Sequence, residues 1–268
     1  MDEQIRKAEY AGLYYPSSAE ELNKQLDLAM AEASTLGPDY SELGIAAMIV
    51  PCGGYTYTAK TSAAAFQKMI GREYQRVIVI GTSHFISMNG LGITEKTAYQ
   101  SPLGDVQIDL DFVEKLKSDF NFSVNEMAFV KEYSIELQIP FLQKYLKSFK
   151  LVPIIMGSKV NYADVAARLA DLIDEQTLVV VSTNFSHYLS DEKARTVDQT
   201  TINEVLARDT SSLLAEGQAS ALSGLALLNE LALMKEWQPA FLKYQNTSEN
   251  GGDKDSVVGF ASFVYFSQ

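Results

Sequence analysis

The chain keeps its scarcest chemically versatile residues on three loops, each directly after an apolar run. The single cysteine, Cys52, and the two histidines, His84 and His187, follow these runs. The runs span residues 45–50, 76–80 and 178–181. Short runs rich in β-branched residues are typical of buried parallel strands, whose carboxyl ends meet at the ligand-binding edge of an open α/β sheet. The sequence therefore predicts that the three loops share one pocket.

A thiolate and two imidazoles can together bind zinc, copper or iron. We therefore predict Cys52, His84 and His187 as candidate ligands of a divalent metal, and Cys52 also as a catalytic or redox-active residue. The ligands are far apart in sequence, so no spacing rule supports them. The alternative is ordinary structure without any metal, because free cysteines are commonly buried and histidines at strand ends are commonly hydrogen-bonded.

Four further polar residues are candidates for the same pocket. Asn184 and Ser83 lie on the histidine loops and are predicted to contact a ligand. Tyr133 and Glu136 are three residues apart, so a helix would place them on one face, where they could transfer protons. The alternative for this pair is the polar stripe of a surface helix. A hydrolase triad has little support, because no Gly-x-Ser-x-Gly motif and no aspartate next to a histidine is present.

Composition restricts the classes of partner. The 268 residues carry a net charge of −12, which argues against nucleic acid and anionic membranes as partners. No stretch approaches the roughly 20 apolar residues of a membrane span. One cysteine and no recognisable signal peptide indicate a cytoplasmic protein. An unknown small molecule or a peptide is the expected ligand.

The order of elements predicts an α/β fold with a central, mostly parallel sheet flanked by helices and antiparallel strands at its edge. The first helix is expected to end near Gly37-Pro38, and residues 98–105 read as a loop or turn. A helix is expected over residues 134–147, where Pro140 would either kink it or mark its first turn. Without linker or repeat, residues 1–268 are predicted to form one domain.

Seven ordered motifs then resemble one known family over the full length. They are Ala11-Gly12-Leu13-Tyr14-Tyr15-Pro16, Pro51-x-Gly53-Gly54-Tyr55, Gly81-Thr82-Ser83-His84, Ser101-Pro102-Leu103-Gly104, Glu132-x-Ser134-Ile135-Glu136-Leu137-Gln138, Ser182-Thr183-Asn184-Phe185-Ser186-His187 and Ser256-Val257-Val258-Gly259-Phe260-Ala261. The family is the Memo-like proteins, also called AmmeMemoRadiSam system protein B. The resemblance implies a fold similar to class III extradiol dioxygenases, a pocket at the corresponding place, and a functional link to radical-SAM and AMMECR-type proteins.

The chain departs from the family pattern inside the pocket. Cys52 and Tyr133 stand where the family has histidines, and Asn184 stands where it has an aspartate. The resemblance therefore implies a degenerate or altered Cys/His/His metal site that favours zinc or copper over iron. The leading expectation is a Memo-like protein with this pocket and altered metal binding or redox chemistry. The alternatives are a non-catalytic module that binds a small ligand or peptide, and a metal-dependent oxygenase or hydrolase.

Overall fold

Four parallel strands form the centre of the main sheet and aim their carboxyl ends at one edge. The computed structural model describes residues 4–33, 43–118 and 122–267. Its strands are β1 (Ile5–Arg6), β2 (Gly44–Val50), β3 (Arg76–Thr82), β4 (Leu91–Ile93), β5 (Ala98–Ser101), β6 (Gly104–Gln107), β7 (Phe122–Val124), β8 (Lys150–Met156), β9 (Thr177–Ser182), β10 (His187–Leu189), β11 (Gln238–Asn246) and β12 (Val257–Ser267). The parallel centre has the order β2-β9-β3-β8, and its β-branched residues are almost all buried.

Antiparallel strands extend this centre on the β2 side. β12 pairs antiparallel with β2, and both β10 and β11 pair antiparallel with β12. On the other side β4 is antiparallel to β8 and parallel to β7. A separate small sheet has the order β1-β5-β6. The protein is thus a single-domain α/β fold with a mixed central sheet.

Helices cover both faces of the sheet. They are α1 (Ala19–Ala33), α2 (Tyr55–Phe66), α3 (Leu110–Ser118), α4 (Glu126–Phe129), α5 (Ile139–Tyr145), α6 (Tyr162–Leu172), α7 (Asp191–Ala207), α8 (Thr210–Glu216) and α9 (Leu222–Met234), with 3-10 turns at Gln67–Met69, Glu136–Gln138 and Thr247–Asn250. α9 is apolar on almost every side because it packs against α6, β3 and β9 at once. Among the described residues, none of these helices has the length and hydropathy needed to span a membrane.

The structure confirms the predicted sheet and corrects two local predictions. Residues 98–105 are not a loop, because Ala98–Ser101 and Gly104–Gln107 pair as an antiparallel hairpin. The helix expected over residues 134–147 is a 3-10 turn followed by the shorter α5, and Pro140 occupies the first turn of α5. The predicted end of α1 at Gly37-Pro38 lies outside the described residues.

Gly81 marks a close approach between β3 and the segment before α5. A Cβ atom at position 81 would lie 3.1 Å from the Cβ of Ser134 and would collide with the Ser134 hydroxyl. That hydroxyl is buried and has no hydrogen-bond partner among the described residues. Glycine at position 81 therefore lets the strand that leads to His84 lie directly against the segment that carries Ser134.

We expect Gly81→Ala to lower the free energy of unfolding by about 1–3 kcal/mol, because overpacking a tight contact forces neighbouring atoms apart. Urea unfolding followed by circular dichroism measures the loss. Ser134→Ala alone should be nearly neutral, and the double variant should recover most of the loss because the colliding hydroxyl is gone. If the two single effects were simply additive, this contact would not be the cause.

Candidate functional site

The carboxyl ends of β2, β9 and β3 are neighbours, so the loops that follow them meet at one edge of the sheet. Cys52 lies just after β2, Asn184 just after β9, and His84 just after β3. His187 lies further along the β9 loop, at the start of β10. The parallel pairing thus brings the four residues to the same region, as expected from the apolar runs.

Asn184 fixes the backbone of Cys52. The Cys52 N–H donates to Asn184 Oδ1 at 2.9 Å, and Asn184 Nδ2 donates to the Cys52 carbonyl at 2.7 Å. Ser220, just before α9, supports this pair: the Asn184 N–H donates to Ser220 Oγ at 3.0 Å, and Ser220 Oγ lies 3.9 Å from Cys52 Sγ. The amide predicted to contact a ligand therefore holds the cysteine loop to the β9 loop.

His84 lies between a carboxylate and the thiol. Its Nδ1 is 2.9 Å from Glu132 Oε1, and its backbone N–H donates to Glu132 Oε2 at 2.9 Å. The Cys52 thiol lies close enough to the imidazole to raise its pKa through hydrogen bonding and charge. Because Glu132 occupies Nδ1, Nε2 is the ring nitrogen left to face the thiol. Cys52, His84 and Glu132 thus form a thiol–imidazole–carboxylate series, which we call the thiol triad.

The two charged members of the thiol triad shift each other's titration. Burial lowers the pKa of His84, but hydrogen bonds and negative charge from Cys52 and Glu132 outweigh burial and raise it to about 10. Burial acts to raise the pKa of Glu132, but hydrogen bonds and charge from His84 prevail, so that pKa lies below its ordinary value. The imidazole therefore keeps a proton, and the carboxylate its charge, at neutral pH.

His187 lies in a different environment, although it is close to His84. Burial, together with the charge of His84, lowers the pKa of His187, against a hydrogen bond to the Phe185 backbone. Its loop is held from α7 by buried Asp198, which accepts bonds from the Ser186 N–H at 2.7 Å and the Ser186 hydroxyl at 2.9 Å. His187 is thus a neutral imidazole on a rigid loop at neutral pH.

Glu136 anchors the N-terminal segment, residues 4–16, over the site. Its carboxylate accepts from the Tyr10 N–H at 2.7 Å and the Tyr15 hydroxyl at 2.8 Å, and Arg6 Nη2 lies 3.5 Å away. Burial raises the pKa of Glu136 despite these donors. Tyr133, in contrast, stacks on the His84 ring with centroids 4.5 Å apart. Tyr133 also packs against Tyr10 and Tyr14, with ring centroids 5.6 and 5.2 Å apart, so both predicted residues contact the N-terminal segment and Tyr133 reaches the thiol triad as well.

A cavity of about 400 Å³ lies above Cys52. Its walls are aromatic, aliphatic and small polar residues from the N-terminal segment and the strand-end loops. They are Leu13, Tyr14, Cys52, Gly53, Gly54, Thr56, Tyr57, Tyr133, Asn184, His187, Tyr188, Thr247, Val258 and Phe260. No lysine, arginine, aspartate or glutamate is among these described lining residues. The cavity thus brings an uncharged surface to the only thiol of the chain.

The described residues show no assembled metal site at the predicted position. Within residues 4–33, 43–118 and 122–267, no three His, Cys, Asp or Glu side chains are arranged to hold a metal ion. Nδ1 of His84 is engaged by Glu132. Ser83, the other predicted contact, donates its hydroxyl to the Ile86 carbonyl at 2.7 Å and lines a separate cavity. The ligand set of Cys52, His84 and His187 remains a prediction.

Sequence reasoning missed Glu132. The residue belongs to an irregular segment without periodic pattern, and Lys131 before it has a left-handed backbone with φ of 59°. The available signal was a carboxylate within a motif that also holds Tyr133 and Ser134. Ser220 and Asp198, which support the cysteine and histidine loops, gave no recognisable signal.

An α/β protein with a buried thiol–imidazole–carboxylate series beneath an uncharged cavity is the class that the fold and site define. The family model for Memo-like proteins matches residues 6–264, and the chain belongs to this family. The chain is 28% identical to a MEMO1 family protein of Methanosarcina mazei over 97% of this chain and 99% of that one. It is 32% identical to the Caenorhabditis elegans protein memo-1 homolog over 69% of this chain and 53% of that one. Similarity to extradiol dioxygenases stays a prediction.

The stability of the protein should depend on pH through His84. Its pKa rises on folding from 6.5 to about 10, so its contribution is complete below pH 6.5 and is lost as the pH rises toward 10. The free energy of unfolding should therefore fall between these limits, and His84→Gln should flatten that slope. Urea unfolding at several pH values in this window measures both slopes. Parallel curves for the two proteins would show that His84 does not take up a proton on folding.

Proposed function

We propose that the protein is a thiol-dependent enzyme whose nucleophile is Cys52. The observation that carries the proposal is the position of the His84 imidazole between the Cys52 thiol and the Glu132 carboxylate. A carboxylate that orients an imidazole, which in turn exchanges a proton with a nucleophile, is the arrangement that nucleophilic catalysis needs. Cys52 is the nucleophile, His84 the proton carrier, and Glu132 the residue that orients and charges His84.

The substrate in this proposal is a small molecule that enters the cavity above Cys52. The cavity volume of about 400 Å³ lies within the range of small-molecule sites. A peptide or a protein partner would need a longer groove. A reducing, cytoplasmic location would keep Cys52 as a thiol, and it belongs to the proposal for that reason.

Nucleophilic chemistry accounts for this arrangement better than a dithiol redox cycle does. The chain contains one cysteine, so no second thiol of the same chain can resolve a disulfide. Tyr133, which stacks on His84, keeps its hydroxyl protonated because burial raises its pKa well above the ordinary value. Tyr133 therefore restricts the orientation of the imidazole rather than serving as a base.

The test is alkylation of the folded protein by iodoacetamide at neutral pH, with intact mass as the readout. Because Cys52 is the only cysteine, one added carbamidomethyl group reports on it alone. We expect His84→Gln to slow the reaction by about tenfold or more, because the imidazolium that stabilises the reactive thiolate is lost. Glu132→Gln should have a smaller effect in the same direction. Lys131→Gln, next to Glu132 on the exposed surface, is the matched control and should react like the unaltered protein.

A thiol that reacts only after denaturation, or equally fast in His84→Gln, would contradict the proposal. The same assay tests the metal alternative. If Zn²⁺ binds Cys52, His84 and His187 together, added Zn²⁺ should slow alkylation, and His187→Ala should abolish that protection. Under the thiol-enzyme proposal, Zn²⁺ leaves the rate unchanged.

A further inference from the structure

The position of Cys52 in the chain suits attack on a carbonyl group. It lies in the short turn between the end of β2 and the start of α2. Where a nucleophile occupies such a strand-to-helix turn, the backbone N–H of the next residue stabilises the oxyanion that forms on a carbonyl substrate. Here the next residues are Gly53 and Gly54, which lack side chains that could cover their amides.

The amides of Gly53 and Gly54 are available for this role. Both residues line the cavity. Neither N–H donates to an acceptor within the described part of the chain, whereas the Cys52 N–H is already bound to Asn184. Both residues directly follow Cys52 in sequence, so their amides are candidate donors to the oxygen of a carbonyl carbon at Cys52 Sγ.

The walls of the cavity determine which groups a substrate can carry next to its reacting carbonyl. Leu13 and Tyr188 are each 76% exposed at its rim, and Val258 and Phe260 form its interior side. Tyr188 has a φ of 59°, a conformation that is strained for a bulky residue and that the structure maintains at this rim. No cationic side chain faces the cavity among the described lining residues, so a carboxylate or phosphate there would be unpaired.

We propose that the cavity binds an uncharged ester or thioester with an apolar acyl group, and that Cys52 takes up this acyl group. This inference rests on the proposed function and names its substrate class and reaction. The geometry that supports it is the juxtaposition of the thiol triad, the two glycine amides and an uncharged, partly exposed apolar wall.

The reaction balances with the residues present and water. The reacting state is the thiolate–imidazolium pair, in which the Cys52 proton has passed to His84. The thiolate sulfur forms a bond to the carbonyl carbon, and the bond from that carbon to the leaving oxygen or sulfur breaks. His84 gives its proton to the leaving atom, which departs as an alcohol or a thiol. Water then attacks the acyl-thioester while His84 takes the water proton. The carbon–sulfur bond breaks, the carboxylic acid leaves, and the proton on His84 restores the starting state.

The experiment uses the protein of residues 1–268 with three p-nitrophenyl esters: the acetate, the butyrate and the negatively charged hemisuccinate. Each rate is divided by the rate of the same ester with free cysteine, which removes intrinsic reactivity. We expect a stoichiometric burst of p-nitrophenolate and an acyl group on Cys52 in peptide mass spectra. The butyrate should react about tenfold faster than the acetate, because two more methylene groups are buried. The hemisuccinate should be at least about tenfold slower than the butyrate, because its carboxylate is desolvated without a partner.

Variants and prior alkylation test whether the burst arises from Cys52 in this cavity. Cys52→Ser should abolish it, with circular dichroism to verify folding, and prior alkylation of the unaltered protein should abolish it without any substitution. Tyr188→Ala should lower the ratio of butyrate to acetate rates. A purely structural role of Tyr188 would leave that ratio unchanged and would show that this wall does not select the acyl group.

Two results would overturn the inference. One is a burst that survives both Cys52→Ser and prior alkylation, and the other is a hemisuccinate that reacts as fast as the butyrate. Alkylation by iodoacetamide that depends on His84, without an acyl adduct from either neutral ester, would reject acyl transfer and leave the thiol-dependent enzyme standing. A thiol inert to both reagents would reject the two proposals together.

Discussion

The buried carboxylate of Glu132 is the interaction that turns three neighbouring loops into a site. It accepts hydrogen bonds from the His84 backbone, from the His84 ring and from the Ser134 N–H at 2.8 Å. A buried charge that lost these donors would be costly, so the donors and the charge hold one another in place. Parallel strand pairing brings Cys52 and His84 to the same edge, but only Glu132 fixes which ring nitrogen faces the thiol.

The N-terminal segment depends on a second buried carboxylate, and the cavity depends on that segment. Glu136 binds the segment through Tyr10 and Tyr15, and the Tyr55 N–H at the start of α2 donates to the Tyr14 carbonyl at 2.8 Å. Leu13 and Tyr14 are thereby placed on the cavity wall. Glu132 and Glu136, four residues apart, thus have separate roles. Glu132 orients the imidazole, and Glu136 anchors the segment that forms part of the cavity wall.

The sequence predicts the sheet well and the thiol triad only in part, for a physical reason. Runs such as 45–50 and 178–181 are buried on both faces, so their composition alone identifies parallel strands and the loops that follow them. Glu132 has no such signature, because it acts through tertiary contacts with a segment far away in sequence. Residues 98–105 resemble a loop in composition because Pro102 and Gly104 are typical of turns, but Pro102 lies in a two-residue hairpin turn and Gly104 is the first residue of β6. Tyr133 precedes the 3-10 turn that begins at Glu136, so the regular helix assumed for the pair is absent, although the Leu137 N–H still donates to the Tyr133 carbonyl.

The consequence of the substitutions in the pocket depends on the group that faces the His84 ring on the side opposite Glu132. A carboxylate that accepts a hydrogen bond from Nδ1 stabilises either a metal ion or a proton at Nε2. Glu132 alone therefore does not distinguish the two cases. The distinction comes from the partner of Nε2. A second imidazole there could share a metal ion with the ring, whereas a thiol can pass its proton to the ring. In the enzyme proposed above, Cys52 takes that place, the charge of Glu132 stabilises the proton on His84, and the sulfur carries out the chemistry.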